Sequence, residues 1–175
     1  MSCNTTEDGT CDTPTCCVCN GSIKNLTLSD STVPHSKNCP WKGRTFMIRD
    51  PRTNFVIGLR KGILRLVSER SGHGCGIHWL CVESEHKMLG FQNVVSGTFI
   101  GCSGTGQLIA EAKTHRDKES FCVRGHPDGG YVLLLRQGYG FLPVQVDGGI
   151  QLVTSTDRDD GKVWEFTRVE NEYAI

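Results

Sequence analysis

A threefold internal repeat is the feature of this sequence that most restricts its fold. Three segments of about forty residues align with one another: 44–88, 89–130 and 131–170. Each contains four short apolar runs separated by turns rich in glycine or aspartate, and such runs are typical of β-strands. The fourth run opens on an aromatic residue in every repeat: Trp79, Phe121 and Trp164. The repeat therefore predicts a symmetric architecture built from three similar β-units.

Four strands repeated three times predict an all-β chain that contains a single β-trefoil. One four-stranded unit cannot bury its apolar face alone, whereas three units around a pseudo-threefold axis close a barrel and cap it. A β-sandwich, the competing architecture, would show seven or more strands without a threefold period. We expect the trefoil over residues 42–170. An irregular, cysteine-rich segment precedes it over 1–41, and a short tail follows over 171–175.

The inward-facing positions of the apolar runs form the predicted core. Residues two apart in a strand share one face of the sheet, so each run contributes alternate positions. Glycines in the intervening turns accept positive φ angles, at which a Cβ would clash. The expected core residues are Ile57, Leu64, Leu66, Trp79, Cys81, Leu108, Phe121, Val123, Leu152, Trp164 and Phe166.

Four motifs connect the repeats with a known family: FMIRDP (46–51), LGFQN (89–93), ESFCVR (119–124) and VWEF (163–166). They resemble the fascin-like, actin-crosslinking class of β-trefoil, in particular its single-trefoil fungal members. The resemblance covers nearly all of 42–170, and its motifs are structural. It implies a non-enzymatic binding module whose partner is a protein, with filamentous actin as the candidate. The fascins themselves bundle actin with several trefoils in one chain, whereas this chain has one.

Charge and hydropathy narrow the expected partners and location. Lysine plus arginine and aspartate plus glutamate number 19 each, so the chain has no electrostatic reason to bind nucleic acid or an anionic membrane. Its longest apolar run, near 131–135, is too short to span a bilayer. The first twenty residues are polar, without the basic start and apolar core of a signal peptide. We therefore expect a cytoplasmic protein with no nucleic-acid or membrane partner.

One cluster of histidine and cysteine, within residues 73–81, has the composition of a metal or catalytic site. Cys81 lies two residues after Trp79, so both should face the barrel interior, where cysteine behaves as a small hydrophobe. His78 should lie on the opposite face. We therefore expect a structural Cys81, and a metal site that uses His73, Cys75 and His78 is the alternative.

Two glycine-containing turns also resemble ligand-binding loops. Residues 101–106 read GCSGTG, but the lysine and the helix of a phosphate-binding loop do not follow, so a hairpin turn is expected. Residues 157–161 read DRDDG, yet the spacing and the terminal glutamate of an EF-hand loop are missing, so a solvated turn is expected. The sequence contains no serine-centred nucleophile elbow. We therefore predict no enzymatic activity.

Carbohydrate binding is the main alternative function, because many trefoils are lectins. Galactose-binding ricin-type trefoils carry a Gln-x-Trp motif in each repeat. The matching tripeptides here are HWL (78–80), SFC (120–122) and VWE (163–165), without that glutamine. Their aromatic residues are expected in the core. A lectin-like trefoil is therefore kept as the second interpretation, ahead of a protease inhibitor.

The cysteines of the N-terminal segment indicate a metal site. Cys16 and Cys19 form one close pair, and His35 and Cys39 form another after fifteen intervening residues. Two close pairs joined by a short loop suit tetrahedral zinc, because each pair supplies two ligands. We expect these four residues to bind one structural Zn²⁺, and Cys17 is an alternative member of the first pair.

Two other interpretations of this segment remain open. It is either a reduced irregular tail or an arm stapled by disulfides, and Cys3 and Cys11 have no assigned role in the zinc hypothesis. Zinc is favoured because the segment has few apolar side chains to offset the entropy of ordering. A structural zinc ion supplies on the order of 10 kcal/mol in small fingers.

Overall fold

The computed structural model describes residues 37–71, 76–156 and 161–170, and these ranges contain twelve β-strands. Four strands fall in each predicted repeat. The first repeat has β1 (Thr45–Arg49), β2 (Phe55–Arg60), β3 (Ile63–Ser68) and β4 (Trp79–Glu83). The second has β5 (Leu89–Asn93), β6 (Phe99–Cys102), β7 (Leu108–Ala112) and β8 (Phe121–Gly125). The third has β9 (Tyr131–Gln137), β10 (Gly140–Asp147), β11 (Gln151–Thr154) and β12 (Val163–Val169).

The first and fourth strands of the three repeats close a six-stranded barrel. β1 pairs with β4 and β12, β5 with β4 and β8, and β9 with β8 and β12, always antiparallel. The second and third strands form three hairpins, β2–β3, β6–β7 and β10–β11. Backbone bonds of 2.8 Å join neighbouring hairpins, from Leu66 N to Ile150 O and from Thr154 N to Gly106 O. The fold is a β-trefoil. The predicted fold class is confirmed.

The core lies inside the barrel and between the hairpins. Leu64, Leu108 and Leu152 occupy matching positions in the third strands, and each is at most 3% exposed. Aromatic rings link the repeats, since Phe166 contacts Phe46 at 5.6 Å and Phe91 at 5.7 Å between centroids. Aromatic pairs at this distance and tilt stabilise the fold by more than the burial of their apolar surface alone. Ten of the eleven predicted core residues are buried, and Val123 is only partly buried against the same cluster.

The turn after the first strand of each repeat breaks the threefold symmetry. In the first repeat, Asp50 braces a tight turn by accepting hydrogen bonds from Arg52 N at 3.1 Å and Thr53 Oγ1 at 3.0 Å. In the second, Asn93 Oδ1 accepts from the backbone N–H groups of residues 95 and 96, both at 3.0 Å. Side chains of this type commonly fix such turns.

The third repeat has an apolar residue where the other two have Asp50 and Asn93. Asn93 pairs with Trp79, and the equivalent Phe121 pairs with Leu135. Leu135 has no side-chain oxygen with which to brace a turn. β9 instead runs directly into β10, and Gln137 pairs with Gly140. Gly138, with φ of +57°, makes this two-residue connection, because a side chain is strained in that conformation. The result is a protruding hairpin with Tyr139 at its tip.

Other parts of the chain bear on the sequence predictions in different ways. Residues 101–102 end β6 and the following residues turn into β7, so the hairpin expected at 101–106 is confirmed. The described ranges contain no helix of the length and hydrophobicity that membrane crossing requires. Residues 1–36 and 171–175 lie outside the described residues, so the boundaries proposed for the terminal segments stay predictions.

Candidate functional site

A long groove lies where one segment from each repeat meets on the side of the barrel. Its walls are the β4–β5 turn (82–88), the β7–β8 loop (112–120) and the β9–β10 hairpin (136–141). The larger part has a volume of about 1250 Å³ and the adjoining part about 540 Å³. The two parts share four lining residues, one or two from each wall: His86, Met88, Asp117 and Arg136. They therefore form one continuous groove.

The β7–β8 loop is held firmly from its buried side. Glu119 is 8% exposed, and its Oε2 accepts a hydrogen bond from Arg116 N at 3.1 Å. Ser120 Oγ donates to Arg116 O at 2.8 Å, and Ser120 O accepts from Arg136 N at 2.8 Å. Arg136 Nη1 also donates to Asp117 Oδ1 at 2.9 Å, which ties the loop to the hairpin. These bonds fix the wall before any ligand arrives, which lowers the entropic cost of binding.

The side chain of His115 packs the β7–β8 loop against strands β5 and β6. Its ring stacks on Phe99 with centroids 5.6 Å apart, and it covers Gly90, where a Cβ would come within 2.9 Å of the imidazole Nε2. Only glycine allows this approach. Nε2 lies 3.2 Å from Ser120 Oγ, whose proton is donated to Arg116 O, so the imidazole donates to the hydroxyl. Burial lowers the pKa of His115, which keeps the ring neutral near pH 7.

Ser120 and His115 are paired like a nucleophile and its general base, but the Ser120 hydroxyl is not accessible to a substrate. Ser120 is 4% exposed, and its hydroxyl already donates to a backbone carbonyl. A nucleophile must reach the substrate and give its proton to the base. The pair therefore stabilises the loop, and the groove is suited to binding.

Two aromatic side chains extend from the hairpin at the narrower end of the groove. Tyr139 is fully exposed and Phe141 is 43% exposed. A neighbouring ion pair, Asp117 with Arg136, supplies charged hydrogen-bonding groups at the same end. Exposed aromatic surface next to fixed polar groups is typical of a recognition site.

Sequence reasoning missed every residue of this groove. His86, Asp117 and Arg136 come from three different repeats and meet only because the barrel closes. Tyr139 carried the one available signal, since GYG (138–140) stands where the other repeats have a turn braced by Asp or Asn.

The structure places the sequence-predicted site residues apart from this groove. Cys81 is fully buried, and burial raises its pKa to about 12, so the interpretation of Cys81 as a core residue is confirmed. His78 is half-buried on the other face of the chain. Cys39 is exposed. The remaining predicted ligands and turn residues lie outside the described residues: Cys16, Cys17, Cys19, His35, His73, Cys75 and 157–160. Within the described ranges, no three His, Cys, Asp or Glu side chains are grouped as a metal site.

The sequence matches no family model and no curated protein. Its fold is similar to several solved structures. The designed threefold-symmetric protein ThreeFoil is 12% identical with a TM-score of 0.60, and the match covers 71% of this chain and 99% of that one. SeviL bound to asialo-GM1 saccharide is 14% identical with a TM-score of 0.59, covering 73% and 98%.

A third similar structure is the ricin B-like lectin of Macrolepiota procera in complex with lactose. It is 17% identical with a TM-score of 0.56, and the match covers 74% of this chain and 98% of the lectin. At these identities the similarity establishes the β-trefoil fold and no more. None of these three structures is a fascin-like protein, so that narrower resemblance stays a prediction.

Proposed function

We propose that this trefoil is a non-enzymatic carbohydrate-binding module and that the groove is its binding site. The observation that carries the proposal is the position of Tyr139, fully exposed at the tip of the β9–β10 hairpin and next to the Asp117–Arg136 ion pair. The proposal adopts the function that the sequence offered as its second interpretation.

The chemistry of the narrow end suits a sugar ring. A pyranose has an apolar face of C–H groups and an edge of hydroxyls. The exposed ring of Tyr139 offers a rigid apolar surface for the face at low conformational cost. Asp117 accepts hydrogen bonds from hydroxyls, and the Arg136 guanidinium donates to them from N–H groups that its bond to Asp117 leaves available. One hexose can engage both kinds of group together.

Comparison with solved trefoils supports this proposal by analogy. Two of the three similar structures contain a bound saccharide. The ricin-type Gln-x-Trp motif is absent here, and the aromatic residues of the matching strands are at most 1% exposed: Trp79, Phe121 and Trp164. The sugar would therefore bind away from those strands.

Protein binding is the second candidate, and filamentous actin is the partner that the fascin-like resemblance suggests. The exposed pair Val94 and Val95, 58% and 77% accessible in the β5–β6 turn, favours it. Contiguous exposed apolar surface marks protein interfaces when it is extensive, and two valines form only a small patch.

A glycan array followed by titration calorimetry tests the carbohydrate proposal. Tyr139→Ala should weaken binding of the best glycan by about tenfold or more, because it removes the aromatic surface. The matched control is Ile63→Ala, which truncates a 58% exposed residue on a different hairpin and should leave binding unchanged. Binding to no glycan, together with sedimentation on actin filaments that Val95→Ser weakens, would replace this proposal with the protein-binding one.

A further inference from the structure

We infer that the groove selects acidic oligosaccharides, glycans that carry a carboxylate or a sulfate ester. The inference rests on the proposed carbohydrate function and adds the class of ligand. It depends on the size of the groove and on which charges along its walls already have partners.

The groove is larger than one sugar needs. Its wider part alone has a volume of about 1250 Å³, and the end beside Tyr139 adds about 540 Å³. Sites for drug-sized ligands usually measure about 300–1,000 Å³. A ligand that fills this groove therefore contains several linked sugar units, with one at the aromatic end and others along the β7–β8 loop.

Most acidic side chains of the groove already have an ion-pair or hydrogen-bond partner. Glu83 Oε2 lies 3.0 Å from Lys42 Nζ and 3.6 Å from Lys87 Nζ, and the hydrogen bond from Lys42 is the main reason that its pKa is lowered. Asp117 is paired with Arg136, and Glu119 is buried against a backbone N–H. Glu85 is the remaining acid. Its side chain is 88% exposed at the rim, where water screens its charge, and its Oε1 lies 3.8 Å from Nε2 of His86.

The basic side chains of the β7–β8 loop lack ion-pair partners of this kind among the described residues. Arg116 and Lys118 are exposed, and neither has a carboxylate within 4.0 Å among the described residues. Lys113 Nζ donates to the carbonyl oxygen of Ser96 at 2.6 Å, so its ammonium group is held at the β5–β6 turn. Arg116 and Lys118 therefore place two exposed cations on this wall of the groove, without an ion-pair partner in the described part of the chain.

An acidic sugar supplies the missing counter-charge. A guanidinium binds a carboxylate or sulfate through two parallel N–H···O bonds, and an ammonium adds a point charge. The backbone N and O of Arg116 are fixed by Glu119 and Ser120, so the loop does not have to be ordered on binding. A neutral glycan of the same length would leave these cations without a partner.

Calorimetric titrations with matched sugars test the inference. The probes are lactose, 6′-sialyllactose and a chondroitin sulfate tetrasaccharide, at low and at high salt. We expect either acidic glycan to bind about tenfold or more tightly than lactose at low salt, and high salt to reduce that preference. The double variant Arg116→Gln/Lys118→Gln should lose the preference, because the affinity for the acidic glycans falls to that for lactose.

The control Arg60→Gln/Lys61→Gln removes two exposed cations from the β2–β3 hairpin, away from the groove, and should keep the preference. Thermal unfolding checks that all variants are folded. Equal binding of lactose and both acidic glycans, or a preference that survives the double variant, overturns the inference and leaves the carbohydrate function intact. Binding of none of the probes, with no hit on a wider glycan array, overturns both.

Discussion

Two buried tryptophans of the barrel give a matched test of what one hydrogen bond contributes to stability. Trp79 and Trp164 occupy equivalent positions in the first and third repeats, and both are 0% exposed. Trp79 Nε1 donates to Ile57 O at 2.9 Å. Trp164 Nε1 is buried and has no acceptor among the described residues. The second repeat has Phe121 at this position, so the barrel accommodates a phenyl ring there.

Phenylalanine should therefore have different effects at the two positions. Either substitution leaves a small cavity, which costs about 1–2 kcal/mol. At position 79 it also leaves the buried Ile57 carbonyl without its donor, which costs about 1–3 kcal/mol more. At position 164 it removes a buried donor without a partner, which recovers about 1–3 kcal/mol. The sums are a loss of about 2–5 kcal/mol for Trp79→Phe and between about 2 kcal/mol gained and 1 kcal/mol lost for Trp164→Phe.

One further contact slightly changes the free-energy difference expected for Trp164→Phe. Lys162 Nζ lies 5.7 Å from the centroid of the Trp164 ring, a cation–π arrangement worth about 0.5–1 kcal/mol, part of which a phenyl ring retains. The difference between the two variants should still be at least about 1 kcal/mol.

Urea unfolding followed by far-UV circular dichroism measures both free energies of unfolding, provided that the m-values agree. Trp41→Phe, at a 58% exposed residue, is the neutral control. Trp164→Ala, with an expected loss of about 3–5 kcal/mol, shows that position 164 belongs to the core. Equal losses for the two phenylalanine variants would refute the reasoning, and so would a larger loss at position 164.

Two other predictions concern protonation and metal. Because burial lowers the pKa of His115, the unfolded chain binds a proton near the ordinary value of 6.5 while the folded chain binds it only at lower pH. The stability should be constant with respect to this group above 6.5 and fall as the pH drops from 6.5 towards the folded-state pKa. His115→Gln should flatten that slope in urea unfolding measured across this window, and an unchanged slope would contradict the prediction. For the N-terminal segment, elemental analysis of protein purified without added metal should find about one zinc per chain. Cys16→Ser or His35→Ala should lose it, and a metal-free wild type would rule the site out.

The fold was largely predictable, because the buried positions of a trefoil recur at regular intervals in the sequence. Trp79, Phe121 and Trp164 recur at one position because the same barrel layer needs a large apolar side chain from each repeat. Val123 was predicted in the core, and it packs against the core cluster while being only partly buried. It shares a strand face with Phe121 but lies near the β8–β9 turn, where the cluster covers it only in part. Strand periodicity gives the face of a residue and not its depth.

The groove was not predictable, because its residues are related through space and not through sequence. His86 follows β4, Asp117 precedes β8 and Arg136 lies near the end of β9, and no local pattern connects them. The neutral state of His115 likewise depends on Gly90 and Phe99, which belong to two other strands. Barrel closure creates these contacts, and a reading of successive residues cannot recover them.

The protruding β9–β10 hairpin also sets the valency of the molecule. The matching turns of the other two repeats are braced by Asp50 and Asn93 and have no aromatic residue at the tip, so the aromatic tip occurs once in the trefoil. A trefoil with three equivalent sites gains avidity by engaging several ligands at once, whereas a single site binds with its intrinsic affinity alone. One isolated copy of this trefoil therefore cannot crosslink glycans or filaments through the groove. Crosslinking would require a second binding unit, supplied by another copy or by another part of the chain.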